Sequence, residues 1–83
     1  MKILLEVTTP GNGKTYDFIL DGAMTVGQVK QTMINEITET ENGNITLIPE
    51  NTILGSLSGK TLLNDSETLE IAGVRSGQRL ILL

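Results

Sequence analysis

Thr25-Val26-Gly27-Gln28-Val29-Lys30-Gln31-Thr32-Met33-Ile34-Asn35-Glu36-Ile37 carries the helical period of this 83-residue chain. Val26, Val29, Met33 and Ile37 recur at spacings of three and four, and Ile34 widens the stripe, so one helix face is apolar. Thr25 has the short side-chain oxygen that caps a helix start. The helix should fade around Thr38 to Thr40, because Asn42-Gly43-Asn44 is a stop signal. An apolar helix face must be covered, and the flanking segments indicate by what.

Upstream, Lys2 to Thr8 alternates, with Ile3, Leu5 and Val7 on one side and Leu4 and Glu6 on the other. Lys14 to Leu20 is again strand-like, with Tyr16, Phe18 and Leu20 on one face. The turn residues Thr9-Pro10-Gly11-Asn12-Gly13 lie between, which makes a β-hairpin. Downstream, Thr52 to Leu57 reads as a strand, Ser58-Gly59 as a turn, and Lys60 to Leu63 as a short return strand. Gln78 to Leu83 reads as the last strand. Ile45 to Glu50 fits a short strand or an extended loop, and Pro49 argues against a central strand. Thr68 to Val74 suits a single helical turn anchored by Leu69, Ile71 and Val74. The expectation is one domain over residues 1–83, an α+β β-grasp: a mixed sheet of four to five strands with one main helix across one face. The first and last strands should lie side by side in the middle of the sheet.

Composition excludes several kinds of function. Apolar residues make up 39%, too many for a disordered chain. There is no cysteine and no histidine, which removes thiolate chemistry, the usual general base and the usual metal ligands. Asp17, Asp21 and Asp65 remain as carboxylates, but no nucleophile–base pair can be assembled, so neither enzyme activity nor a cofactor is expected. The net charge is −4 and no Lys/Arg cluster stands out, so no nucleic acid partner is expected. Tyr16 and Phe18, the only aromatics, make no stacking platform. No apolar run reaches transmembrane length, which leads to no direct membrane insertion and a cytoplasmic location as expectations. Gly11-Asn12-Gly13-Lys14-Thr15 lacks the leading glycine of a phosphate loop and precedes a strand, so it reads as a hairpin turn. Glu36, Glu39, Glu41 and Glu50 read as a solvated acidic face, since a hard-cation loop needs tighter carboxylate spacing.

The most informative surface is the sheet face away from the helix. If Ile3, Leu5 and Val7 face the helix, Leu4 faces out. If Leu80 and Leu82 face in, Ile81 and Leu83 face out. The candidate protein-binding face is Leu4, Glu6, Leu54, Ser56, Ile81 and Leu83, since exposed apolar patches mark partner sites. The expected partners are other proteins, with a weak homodimer through the same face as an alternative. Lys30 is expected to pack its stem along the core edge with its ammonium in water, a pairing with Asp65 being the other option. Lys60 reads as a solvated turn residue.

Over nearly its whole length the chain resembles the ubiquitin superfamily. Met1 to Val7 is similar to the opening strand, and Thr25 to Met33, with its Val29-Lys30 pair, to the start of the helix. Gly59-Lys60-Thr61-Leu62 is similar to the turn into the short fourth strand, and Thr68-Leu69 through Leu80-Ile81-Leu82 to the closing pattern. Thr38 to Glu50 matches poorly. Within the superfamily, the closing section Leu69 to Leu80 resembles the small bacterial YukD-like proteins, with Gln78 where their pattern has an acidic residue. The resemblance implies a non-conjugating ubiquitin-like interaction module, an accessory component of a bacterial type VII (WXG100) secretion system with secretion-system proteins as partners. The chain ends at Leu83 with the last strand, without the two glycines that a conjugated modifier uses. The alternative is a modifier or sulfur carrier whose Gly-Gly tail is missing from this sequence. By the same resemblance, the open sheet face is the recognition surface.

Overall fold

The computed structural model describes the backbone of residues 1–83 and every side chain except that of Pro49. Strands β1 (Lys2–Thr9) and β2 (Lys14–Asp21) form the expected hairpin and lead into helix α1 (Val26–Thr40). A short 3-10 turn, Pro49–Asn51, precedes β3 (Leu54–Ser56), β4 (Thr61–Leu62) and β5 (Arg79–Leu82). The strands form one sheet in the order β2-β1-β5-β3-β4. β1 and β5 are parallel and every other pair is antiparallel, so the sheet is mixed. The expected neighbours are therefore in place at the centre: Val7 lies opposite Leu80 and Thr8 opposite Ile81.

The helix lies over one sheet face. Val26, Val29, Met33, Ile34 and Ile37 are buried against Ile3, Leu5 and Val7 of β1, Phe18 and Leu20 of β2, and Leu80 and Leu82 of β5. Deleting one such side chain, as in Leu5→Ala, costs about 2–5 kcal/mol through lost transfer energy and the cavity left behind. Thr25 caps the helix in a full capping box: its hydroxyl accepts from the Gln28 N–H, and the Gln28 side chain accepts from the Thr25 N–H. The first-turn N–H groups, which lack partners inside a helix, donate to the incoming loop instead. Val26 donates to the Glu67 carbonyl at 2.8 Å and Gly27 to the Asp65 carbonyl at 3.0 Å.

At its other end the helix closes where the stop signal stands. Asn42 N–H donates to the Glu39 carbonyl and Gly43 N–H to the Thr38 carbonyl, the paired bonds of a Schellman cap. Both residues are left-handed, with φ of 54° and 76°. Glycine adopts that region freely, and asparagine tolerates it better than most residues.

Three expectations change. Within Thr52 to Leu57 the regular strand is confined to Leu54–Ser56; between Ile45 and Glu50 no strand forms, so the loop alternative stands. Ile71 does not anchor the 68–74 turn: it is 72% exposed, whereas Leu69 and Val74 are buried. The turn is held by the Ala72 N–H on the Thr68 carbonyl and the Val74 N–H on the Leu69 carbonyl, which leaves residue 71 on its outer side. Lys30 does not send its ammonium into water. It is 6% exposed, and its Nζ donates to the Thr52 carbonyl at 2.8 Å and to both Asp65 carboxylate oxygens at 2.9 and 3.1 Å. The buried charge stays on the core side because these acceptors replace its hydration.

Candidate protein-binding face

The strand registers align one transverse row across the open face. Thr15 of β2 lies opposite Thr8 of β1, Thr8 opposite Ile81 of β5, Ile81 opposite Gly55 of β3, and Gly55 opposite Leu62 of β4. Residues directly opposite each other share a sheet face. The half of this row from β5 to β4 is apolar. Gly55 forms its floor: a Cβ built there would lie 3.2 Å from Ile81 Cγ2 and 3.5 Å from Leu62 Cδ2, so these side chains flank a shallow hollow over the glycine. The hollow encloses about 240 Å³, with Leu57, Lys60 and Thr61 at its rim. Leu62 is 64% exposed and Leu57 46%.

The patch continues toward the chain end. Ile53 and Leu83 exchange reciprocal N–H to carbonyl hydrogen bonds at 2.9 Å, which extends the β3–β5 ladder by one pair, and both side chains are about half exposed. On the other side it stops at an ionic row. Glu6 lies opposite Asp17 and opposite Arg79, and it forms an ion pair with Arg79, whose Nε stands 3.1 Å from Glu6 Oε1. Beyond that row the second apolar spot is a cross-strand pair, Leu4 opposite Ile19, with Ile19 68% exposed.

Four of the six expected face residues are therefore on the open side: Leu4, Glu6, Ile81 and Leu83. Leu54 and Ser56 are not. Leu54 lies opposite Leu82 and Ser56 opposite Leu80, both core-facing, so Leu54 and Ser56 point toward the helix. Leu54 is 1% exposed and belongs to the core. Ser56 is buried, and its hydroxyl accepts from the Gly59 N–H at 3.0 Å to close the β3–β4 turn. The residues that do share the face on this side are Gly55, Leu57 and Leu62. Leu62 takes its side from its pairing with Gly55, and with Leu62 and Leu63 both apolar the sequence of β4 set no phase of its own.

Elsewhere several titratable groups have structural partners. Glu41 receives the Lys14 ammonium at 2.7 Å and the Tyr16 hydroxyl at 2.8 Å, which hold its carboxyl below the usual range; the same contact raises Lys14. Asp21 accepts from the Ala23 N–H and from the N-terminal ammonium, and its carboxyl is lowered. Among the described residues no grouping of three or more Asp or Glu side chains could hold a metal ion. No helix among them is long and apolar enough to cross a membrane.

No protein-family model and no curated relative matches the sequence. Solved structures do match. Caldiarchaeum subterraneum ubiquitin is 24% identical, with a TM-score of 0.72 over 99% of this chain and 91% of its own. A ubiquitin-like domain from Arabidopsis thaliana is 20% identical, with a TM-score of 0.73 over 99% of this chain and 76% of its own. The N-terminal ubiquitin-like domain of the 4931431F19Rik protein gives 18% and 0.73, over 99% and 73%. The fold is thus the ubiquitin-like β-grasp, and at these identities the likeness is one of fold.

Proposed function

We propose that this chain is a protein-binding module that engages its partner through the open sheet face centred on Gly55. The observation that carries this reading is an uncovered apolar patch beside a core that is already complete. Leu57, Leu62 and Ile81 line the hollow and Ile53 and Leu83 extend the patch beyond it, while the opposite face of the sheet is filled by the helix. Leu57, Leu62, Ile53 and Leu83, each about half exposed, have roughly 1 kcal/mol of burial apiece still to gain, taking about half of the 1.5–3 kcal/mol for a full leucine or isoleucine, and the more covered Ile81 has less. About 4–5 kcal/mol for the patch only matches the lower range of the association cost. A partner therefore has to add polar contacts around the rim, where Lys60 and Arg79 supply cations on an otherwise acidic protein. By the same figures, a homodimer resting on this patch alone would be weak.

The closing-section resemblance supports a setting at a bacterial type VII (WXG100) secretion system, with this chain as a cytoplasmic accessory component. The test is titration of the labelled protein with a WXG100 protein and with the cytosolic domains of the membrane-bound ATPase of such a system, read by NMR. Shifts at Gly55, Leu62 and Ile81, lost in a folded Ile81→Asp variant, support the reading. Undiminished binding by Ile81→Asp and by Leu62→Asp refutes this face. Absence of binding to both candidates refutes the secretion setting.

A further inference from the structure

We propose that Asn42 is a site of spontaneous deamidation, and that its conversion dismantles the cap of α1. Of the six asparagines only Asn12 and Asn42 precede a glycine, whose missing side chain leaves the backbone nitrogen open to act as nucleophile. In the reaction the deprotonated Gly43 nitrogen attacks the Asn42 side-chain carbonyl carbon. The bond from that carbon to the carboxamide nitrogen breaks and ammonia leaves. Water opens the resulting succinimide at either carbonyl, giving aspartate or isoaspartate. No oxidant or cofactor enters.

The two Asn-Gly pairs differ at the side chain, since the glycine nitrogen is bonded in both, Gly13 N–H to the Thr9 carbonyl at 2.9 Å. The Asn12 carboxamide is clamped: its oxygen accepts from the Thr9 hydroxyl and from the Lys14 N–H, and its nitrogen donates to the Tyr16 hydroxyl. The Asn42 side chain is exposed and has no hydrogen-bond partner among the described residues. What restrains Asn42 is the Gly43 N–H bond to the Thr38 carbonyl at 2.9 Å, at the end of a helix where fraying is easiest. Asn42 therefore needs one terminal bond to open, whereas Asn12 needs both the Gly13 N–H bond and its side-chain network to release.

Conversion has a local consequence. Isoaspartate inserts a methylene into the main chain and removes the paired cap bonds. Either product places a new carboxylate next to Glu41 and near Glu39 at the helix C-terminus, where negative charge is disfavoured. Glu41 is also the residue through which the helix end grips Lys14 and Tyr16, so the latch to β2 is disturbed with the cap.

The test is ageing of the folded full chain at mildly alkaline pH, with peptide mapping by mass spectrometry and isoaspartate detection at both positions. The same sample in denaturant is the reference, where both sites convert. The expected result is conversion at residue 42 at least about tenfold faster than at residue 12 in the folded protein, the ratio that about 1.4 kcal/mol of extra opening cost gives. Gly43→Ala, which crowds the nucleophile, slows residue 42 and leaves residue 12 unchanged. Equal rates, faster loss at Asn12, or no folded-state conversion while the denatured chain converts would each overturn the proposal.

Discussion

Removing Asp65 tests the buried ammonium directly. Asp65→Ala leaves Lys30 Nζ inside the fold with the Thr52 carbonyl as its one remaining acceptor among those observed. Breaking a fully buried pair costs about 3–5 kcal/mol, and an exposed pair is worth about 0–1. This pair is asymmetric: the Lys30 side chain is 7% exposed and that of Asp65 59%, so water replaces part of what the carboxylate supplied. The expected loss is about 2 kcal/mol, within the range for hydrogen bonds to a charged group. Lys30→Met keeps the stem packed but deprives the buried Thr52 carbonyl of its donor, at about 1–3 kcal/mol. The double variant should lose less than the sum of the two, by about 1 kcal/mol, because the second change removes a partner already orphaned. Urea unfolding monitored by circular dichroism measures all three. A domain of this length has roughly 4–12 kcal/mol in total, so the shifts are large. Asp65→Ala within about 0.5 kcal/mol of the parent, or strict additivity in the double variant, would refute the reasoning.

Other outcomes follow from the same geometry. Thr25→Ala removes the hydroxyl half of the capping box and should cost about 0.5–2 kcal/mol in the same unfolding assay, with helix exchange protection lost first at the Gln28 amide. Acid titration should show stability falling once pH drops below the ordinary values of 4.5 for Glu41 and 3.8 for Asp21. Both carboxyls are depressed in the fold, so their contribution is complete above those values and fades as pH falls through the folded ones. Lys14 is raised above 10.5, so its part is present below that value and fades as pH rises through the folded one. Glu41→Gln should flatten part of the acid limb, and an unchanged limb would refute the assignment. Gly55→Ala brings a methyl to 3.2 Å from Ile81 Cγ2, so Ile81 must shift by a few tenths of an ångström; the expected result is a folded protein with Ile81 and Leu62 methyl resonances displaced.

The helix was legible because its stripe, Val26 to Ile37, runs through about three turns and follows a capping residue, Thr25. The hairpin was legible because Ile3, Leu5 and Val7 alternate with residues that include a charge, which fixes the phase. β3 lacked such a marker. Ile53, Leu54 and Leu57 are apolar on both phases and Gly55 says nothing, so alternation could not decide which side faced the helix. The pairing with Leu80 and Leu82 decides it, and that pairing is long-range. Lys30 and Asp65 are likewise 35 positions apart, and only the loop strapped to the helix start brings them together. Ile71 sits in a turn too short to define a period.

The parallel pairing of β1 with β5 has a bearing on how the molecule is made. The centre of the sheet is filled by β5, the last of its five strands to leave the ribosome, after the hairpin and helix are already outside. Until Leu80 and Leu82 appear, Leu5 and Val7 have no neighbour on that edge, and the apolar underside of the helix is only partly sheltered. Contacts this distant in the chain slow folding relative to local ones. Translation stalled before residue 79 should therefore leave a nascent chain exposed to holding chaperones, with native structure arriving in one late step.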